Sequence, residues 1–253
     1  MTFPVGQVGE VGGPSGYTYA AVVIRVDDPP CSRDDVLNAL RELRFSGWVA
    51  QPEDGWLAAV LASGDGTAAA GRRGVAGVGE SLADRFGATV VALRVVRDRQ
   101  LLLVVWDDGE EVGRYLSDPS FGLGPGDDTL PDAYGVEHGA AFATACGHPE
   151  NAEDLEELLG DELDPDSIFE SERLAGVLRL LGLPRWLVAA PSLPRDVPTG
   201  PGRRDVTRLG AGLPGALGWL SGRAVNVVRK RRPPPPAVTD APRGASGMDP
   251  WLM

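Results

Sequence analysis

Lysine is nearly missing from this sequence: Lys230 is the only one, and every other cation is an arginine. That points to a high-GC coding bias and carries no mechanism. Cysteine is scarce too. Cys31 and Cys146 are the only two in 253 residues, which excludes a disulfide framework. Both histidines, His138 and His148, fall in one segment, leaving little from which to build a histidine general base. No purely apolar run reaches the roughly 18 residues that a membrane-spanning helix needs. The start of the chain, MTFPVGQVGEVGGPSG, has neither a basic opening nor an apolar h-region. No secretory signal is therefore expected, and the expected location is the cytoplasm. Signatures of catalysis are missing as well. There is no G-x-S-x-G elbow. The glycine-rich patches Gly77–Gly79 and Gly122–Gly126 have neither the lysine of a P-loop nor the strand-to-helix setting of a dinucleotide fold.

What the chain does have is 43% hydrophobic content, ordinary for a globular protein, and an uneven charge. Residues 1–190 hold 14 basic and 32 acidic side chains, a net −18, whereas residues 191–253 hold 10 and 4, a net +6. The acidic body should repel nucleic acid, whose phosphates need clustered Lys and Arg. The basic end can meet phosphates, anionic lipid or its own acidic body.

The stretch from Ala88 to Pro119 organises the rest. Thr89–Val96, Leu101–Trp106 and Glu111–Leu116 read as three antiparallel strands, turned by Arg97-Asp98-Arg99 and by Asp107-Asp108-Gly109. Asp-Gly is favoured in a two-residue hairpin because both central residues take positive φ. The middle strand is apolar on both faces, with Leu101, Leu103 and Val105 on one and Leu102, Val104 and Trp106 on the other. Such a strand belongs inside a sheet. Ahead of it, alternation predicts a strand over Tyr17–Val26 and a hairpin from Trp48–Gln51 to Trp56–Ala62. Ser32, with Asp35 in the capping-box position, opens a helix striped by Val36, Leu37, Leu40 and Leu43. Val75, Val78, Leu82 and Phe86 mark a second helix, closed by Gly87. The first six elements follow the split β-α-β order of ferredoxin-like folds.

After a loop over Ser117–Asp132, three helical stretches are expected. One is Ala-rich (Glu137–Cys146), one is capped by Asn151, and one is opened by Asp164-Pro165 and buries Ile168, Leu174, Ala175, Leu178 and Leu181. The expected fold is thus α+β: a mostly antiparallel sheet with helices on one face, a C-terminal helical subdomain packed beside it, and a flexible basic tail. The boundaries drawn are 1–16 for a flexible N-terminus, 17–132 for the sheet domain, 133–190 for the helical subdomain and 191–253 for the Pro/Gly/Arg-rich tail.

Inside that tail, Leu209, Leu213, Ala216, Leu217, Leu220, Ala224, Val227 and Val228 form an amphipathic pattern, followed by Arg229-Lys230-Arg231-Arg232 and the prolines Pro233–Pro236. An apolar helix face beside a basic cluster suits an anionic membrane surface. The candidate contact residues are Leu213, Leu217, Trp219, Leu220, Arg229, Lys230, Arg231 and Arg232. Against this, five glycines (Gly210, Gly212, Gly215, Gly218, Gly222) and Pro214 disfavour a helix, by about 1 kcal/mol per Gly and ~3 kcal/mol for Pro relative to Ala. A flexible linker folded back on the acidic body is the competing reading.

Two clusters invite a metal. Asp107, Asp108, Glu110, Glu111, Asp118, Asp127, Asp128 and Asp132 crowd the turns around the last strands, without the spacing of a calcium loop. His138, Cys146 and His148 match no zinc spacing, and Cys146 lies in an apolar run. Hairpin turns and a buried thiol account for both clusters. No metal, cofactor or catalytic residue is assigned.

The sequence Trp106-Asp107-Asp108-Gly109-Glu110-Glu111-Val112-Gly113-Arg114-Tyr115-Leu116-Ser117-Asp118-Pro119, with Leu-Leu-Gly-Leu-Pro at 180–184, resembles a set of mostly actinobacterial proteins. These share a W-x-D-G-E-x-V-x-x-Y-x-S-D-P strand motif, and the resemblance covers roughly Tyr17–Pro184. It implies no activity. Three functions stay open. The first is a non-enzymatic interaction or regulatory protein whose acidic body binds a basic protein partner. The second is a peripheral membrane protein docked through residues 209–232. The third is a hydrolase with a carboxylate-based site.

Overall fold

The computed structural model describes residues 16–26, 31–119, 132–161, 169–193, 197, 200–202, 204–230 and 234–235. Its strands are β1 (Tyr19–Arg25), β2 (Gly47–Val49), β3 (Trp56–Leu61), β4 (Val90–Val96), β5 (Gln100–Asp107), β6 (Glu110–Leu116), β7 (Thr207–Gly210) and β8 (Leu213–Pro214). Its α-helices are α1 (Arg33–Glu42), α2 (Val75–Phe86), α3 (Gly139–Ala145), α4 (Ala152–Gly160), α5 (Glu170–Leu180) and α6 (Gly215–Lys230).

All eight strands join one sheet in the order β6-β5-β4-β1-β3-β2-β7-β8, and every pairing is antiparallel. The central four, β4-β1-β3-β2, have the split β-α-β arrangement that the element order predicts. The meander through β5 and β6 extends one edge, and β7 with β8 extends the other.

Local chemistry fixes the ends of these elements. Ser32 and Asp35 form a reciprocal capping box at the start of α1. Gly87 closes α2 at φ 59°, in the left-handed region where a Cβ is penalised. The β5–β6 turn puts Asp108 at φ 53° and Gly109 at φ 82°, as a hairpin twisted with its strands requires. The β4–β5 turn does the same with Arg97 at φ 51° and Asp98 at φ 58°. Asp98 also reaches a distant element. Its carboxylate accepts from the Ser171 N–H at 2.7 Å and from the Ser171 hydroxyl at 3.0 Å, and its carbonyl accepts from the Glu170 N–H at 3.1 Å. A turn residue thereby caps α5 across the sheet, supplying acceptors for donors that a helix start leaves unpaired.

Both faces of the sheet are dry. On one, Val36, Leu37 and Leu40 of α1 and Val78 and Leu82 of α2 pack over Val22, Ile24, Leu57, Ala92 and Trp106. On the other, Phe142, Leu155, Leu174, Leu178 and Trp186 pack over Val23, Leu93, Leu101, Leu103 and Tyr115. Strand β5 is buried on both sides between β4 and β6. The C-terminal helical subdomain lies across this second face rather than beside the sheet. The cause is in the strands: β1, β4 and β5 are apolar on both faces, and an uncovered face would stay in water. Full burial of each Leu or Val contributes about 1.5–3 kcal/mol.

The second layer also encloses charge. Arg173 donates to the Tyr115 hydroxyl at 2.6 Å, to Leu159 O at 2.7 Å and to Asp161 O at 2.7 Å, so a cation closes the C-terminal end of α4. Its Nε lies 3.5 Å from Glu170 Oε2, and Glu170 has no exposed surface. Burial raises the Glu170 carboxyl above its ordinary value, with Ser117 and Arg173 pulling the other way.

The tail expected over 191–253 is structured between Thr207 and Lys230. Strand β7 pairs with β2, Trp48 opposite Arg208, and α6 seats on β7 and β8. Other expectations fall outside the described residues: Asp27–Pro30, Gly122–Gly126, Asp127, Asp128, Asp164, Pro165, Ile168, Arg231, Arg232, Pro233 and Pro236.

Candidate interaction surface

Helix α6 has 16 residues, a length of about 24 Å at 1.5 Å per residue. Its glycines are what hold it. A methyl group on Gly210 would overlap the Gly218 carbonyl, and one on Gly218 would overlap the Leu213 carbonyl. Backbone therefore meets backbone at the seat, and only glycine allows that approach. The Ser221 hydroxyl donates to Gly210 O at 2.9 Å. At the far end Arg229 turns inward. Its Nη1 donates to Ser46 Oγ and to Ala68 O, both at 2.9 Å, and its Nη2 donates to Arg44 O at 2.8 Å.

This seat reverses the usual amphipathic arrangement. The small face, Gly218, Ser221, Gly222, Val225 and Arg229, goes against the body. The large apolar face is left outside: Leu217 is 72% exposed, Leu220 59%, Val227 59% and Val228 60%, with Leu213 of β8 at 48%. Leu217, Leu220, Ala224 and Val227 follow each other at spacings of three and four, and so share one side of the helix. Isolated exposed leucines are common, but a contiguous apolar row marks a contact surface. Along the chain, the charge of this stretch has one sign. From Val206 to Thr239 the chain carries six cations and no carboxylate.

The sequence-based contact residues divide accordingly. Leu213, Leu217 and Leu220 lie together on the outer face. Arg229 does not join them: it is a latch between α6 and the body, because its donors find neutral oxygens of the Arg44–Ser46 and Ala68 segments. Trp219 and Lys230 are on the helix, with side chains outside the described set, and Arg231 and Arg232 lie outside the described residues altogether. Val227 and Val228 belong to the face although only the broader periodic pattern pointed to them.

The other clusters are described only in part, because Asp127 and Asp128 lie outside the described residues. Among the described residues no three His, Cys, Asp or Glu side chains converge as a metal would need. Cys146 is wholly buried and its thiol is pushed up to about 12, chiefly by burial; Cys31 is pushed up to about 11 for the same reason. Neither is a nucleophile at neutral pH. His148 meets Glu150 at 3.2 Å, Glu111 pairs with Arg114, and Asp107 accepts from the Thr89 hydroxyl at 2.8 Å. A cleft of about 490 Å³ between α1 and α2 is lined by Asp35, Arg41, Glu42 and Arg85, with Glu42 and Arg85 paired across it. Among the described residues no helix is long and apolar enough to cross a membrane. No family model, curated protein or solved structure matches the chain.

Proposed function

We propose that this is a non-enzymatic docking protein that binds an anionic membrane surface through the outer face of α6. The observation that carries the reading is the solvent-facing row Leu213–Leu217–Leu220–Val227–Val228 in a stretch of chain with only positive charge. A helix of this kind lies in the interfacial plane, its apolar side among the upper acyl carbons and its cations among the headgroups. Burying each of these side chains contributes about 1–2 kcal/mol at their observed exposure, and each nearby cation about 1 kcal/mol. That is enough for reversible attachment. The rigid seat on β7 orders the helix beforehand, so little chain entropy is lost on docking.

Co-sedimentation of the full chain with vesicles tests this. Binding is expected to vesicles that contain phosphatidylserine and to fall with salt, since surface charge is screened within about 8 Å at physiological ionic strength. Leu217→Glu with Leu220→Glu should abolish binding without shifting the melting temperature, because both side chains are exposed. Absence of binding by the unaltered chain overturns the reading.

A second reading has the acidic body bind a basic protein partner. The exposed carboxylates Glu110, Glu153, Asp154 and Glu157 of β6 and α4 favour it. Reversing the charges of the α4 trio would then weaken partner capture and leave vesicle binding unchanged.

A further inference from the structure

A concave space of about 230 Å³ opens beneath the C-terminal half of α6. Three arginines from three separate parts of the chain surround it: Arg44 just after α1, Arg72 in the loop before α2, and Arg229 of α6. Thr67, Val225 and Val228 are among the other residues of its wall. Among the described residues no ion pair engages Arg44 or Arg229. The oxygens that Arg229 meets are all neutral, and they use three of its five N–H groups. Burial and the neighbouring Arg44 both disfavour its charge.

Two of the three sit on backbone that suits another residue. Arg44 has φ 55° and Arg72 φ 60°, in the region where glycine is the ordinary choice. For Arg44 that conformation belongs to the end of α1, where the Phe45 N–H donates to Leu40 O, and it leaves the Arg44 side chain at the rim of the cavity. The size of the space bears on the ligand. It is below the about 300–1,000 Å³ of sites for drug-sized molecules, and it is several times the ~30 Å³ share of one water. A single tetrahedral anion fits such a volume. Arginine is suited to it, because the planar guanidinium matches two phosphate oxygens at once. The mouth adds the last constraint. Val228 lines the cavity and also belongs to the exposed apolar face, so a ligand held there has an oily surface beside it.

We propose that this cavity binds the phosphomonoester headgroup of an anionic lipid, gripped by Arg44 and Arg72 over Arg229, with the acyl chains running beside α6. The proposal rests on the docking reading for its lipid source; the phosphate site itself stands on the cavity.

The test uses the full chain and three probes. These are phosphatidylcholine vesicles with phosphatidic acid, the same vesicles with phosphatidylserine at matched surface potential, and soluble glycerol 3-phosphate followed by phosphorus NMR. About tenfold tighter binding to phosphatidic acid than to phosphatidylserine is expected, and that preference should vanish in Arg44→Gly/Arg72→Gly while phosphatidylserine binding holds within about twofold. Glycine suits both backbone positions, so this variant should fold. Leu217→Glu/Leu220→Glu should lose both vesicle types and keep glycerol 3-phosphate. Soluble phosphate bound with no vesicle binding would keep the cavity as a phosphate site and reject the membrane. Equal affinity for the two vesicle types, or a preference that survives Arg44→Gly/Arg72→Gly, overturns the proposal.

Discussion

Replacing Gly218 and Gly222 by alanine, one at a time, should separate the seat of α6 from its intrinsic helicity. Both are interior helix positions, where Ala is favoured over Gly by about 1 kcal/mol. Their surroundings differ. A Cβ at Gly222 would come 3.3 Å from Gly210 Cα, a tight contact that a shift of a few tenths of an ångström relieves. A Cβ at Gly218 would overlap the Leu213 carbonyl and crowd Gly210, and no rotamer relieves a backbone clash. Overpacking of this kind costs about 1–3 kcal/mol. Lifting the helix also strains the Ser221–Gly210 bond and the three bonds of Arg229, worth about 1 kcal/mol each. The net for Gly218→Ala is about 2–4 kcal/mol against the seated state, confined to α6, with Gly222→Ala near zero. Native-state hydrogen exchange reads this directly. The α6 amides should exchange about 30- to 1,000-fold faster in Gly218→Ala, with β4 and β5 unchanged. Equal loosening in the two variants, or wild-type protection in Gly218→Ala, would refute the argument that close backbone approach holds the helix.

Other consequences follow from features elsewhere. Asp98→Ala removes the distant cap of α5 and should lower stability by about 1–2 kcal/mol in urea unfolding, while Asp98→Asn should retain much of it. Arg44→Gly relieves a left-handed backbone (φ 55°) and should stabilise the chain by about 1 kcal/mol, a rise of roughly 2–4 °C in melting temperature. The raised Glu170 carboxyl gives a pH signature: the folded state holds its proton where the unfolded chain has released it, so stability falls as pH rises above about 4.5 toward the folded value. Stability measured across that window in Glu170→Gln should lack this fall; an unchanged slope would show that another group causes it.

Much of the sheet was legible because its signals are local. Strand β5 announces two dry faces through unbroken apolar residues from Leu101 to Trp106. Asp108-Gly109 specifies its turn, and Ser32 with Asp35 specifies a helix start. The split β-α-β order followed from the succession of elements alone. What stayed hidden depends on partners far along the chain. The glycines of α6 count against a helix in isolation, yet they are what lets backbone approach backbone at Gly210 and Gly218. Arg229 looks equivalent to Lys230, Arg231 and Arg232 in sequence, and only the fold turns it toward Ser46. Nothing in their neighbours marks Arg44 or Arg72 as left-handed. The second helical layer was visible as helices but not by position, since periodicity tells which face is buried and not against what.

Strand β2 is three residues long, and the strand that covers its outer side lies 160 residues later, Trp48 meeting Arg208. During synthesis at about 5–20 residues per second, that side waits roughly 8–30 s for its neighbour. Until then the nascent chain has an open ladder edge next to a folded core, a template for pairing with another chain. A ribosome stalled before Thr207 would release a product with its core largely built and this edge bare. Such a fragment should aggregate where the whole chain does not, and α6 would have nowhere to sit.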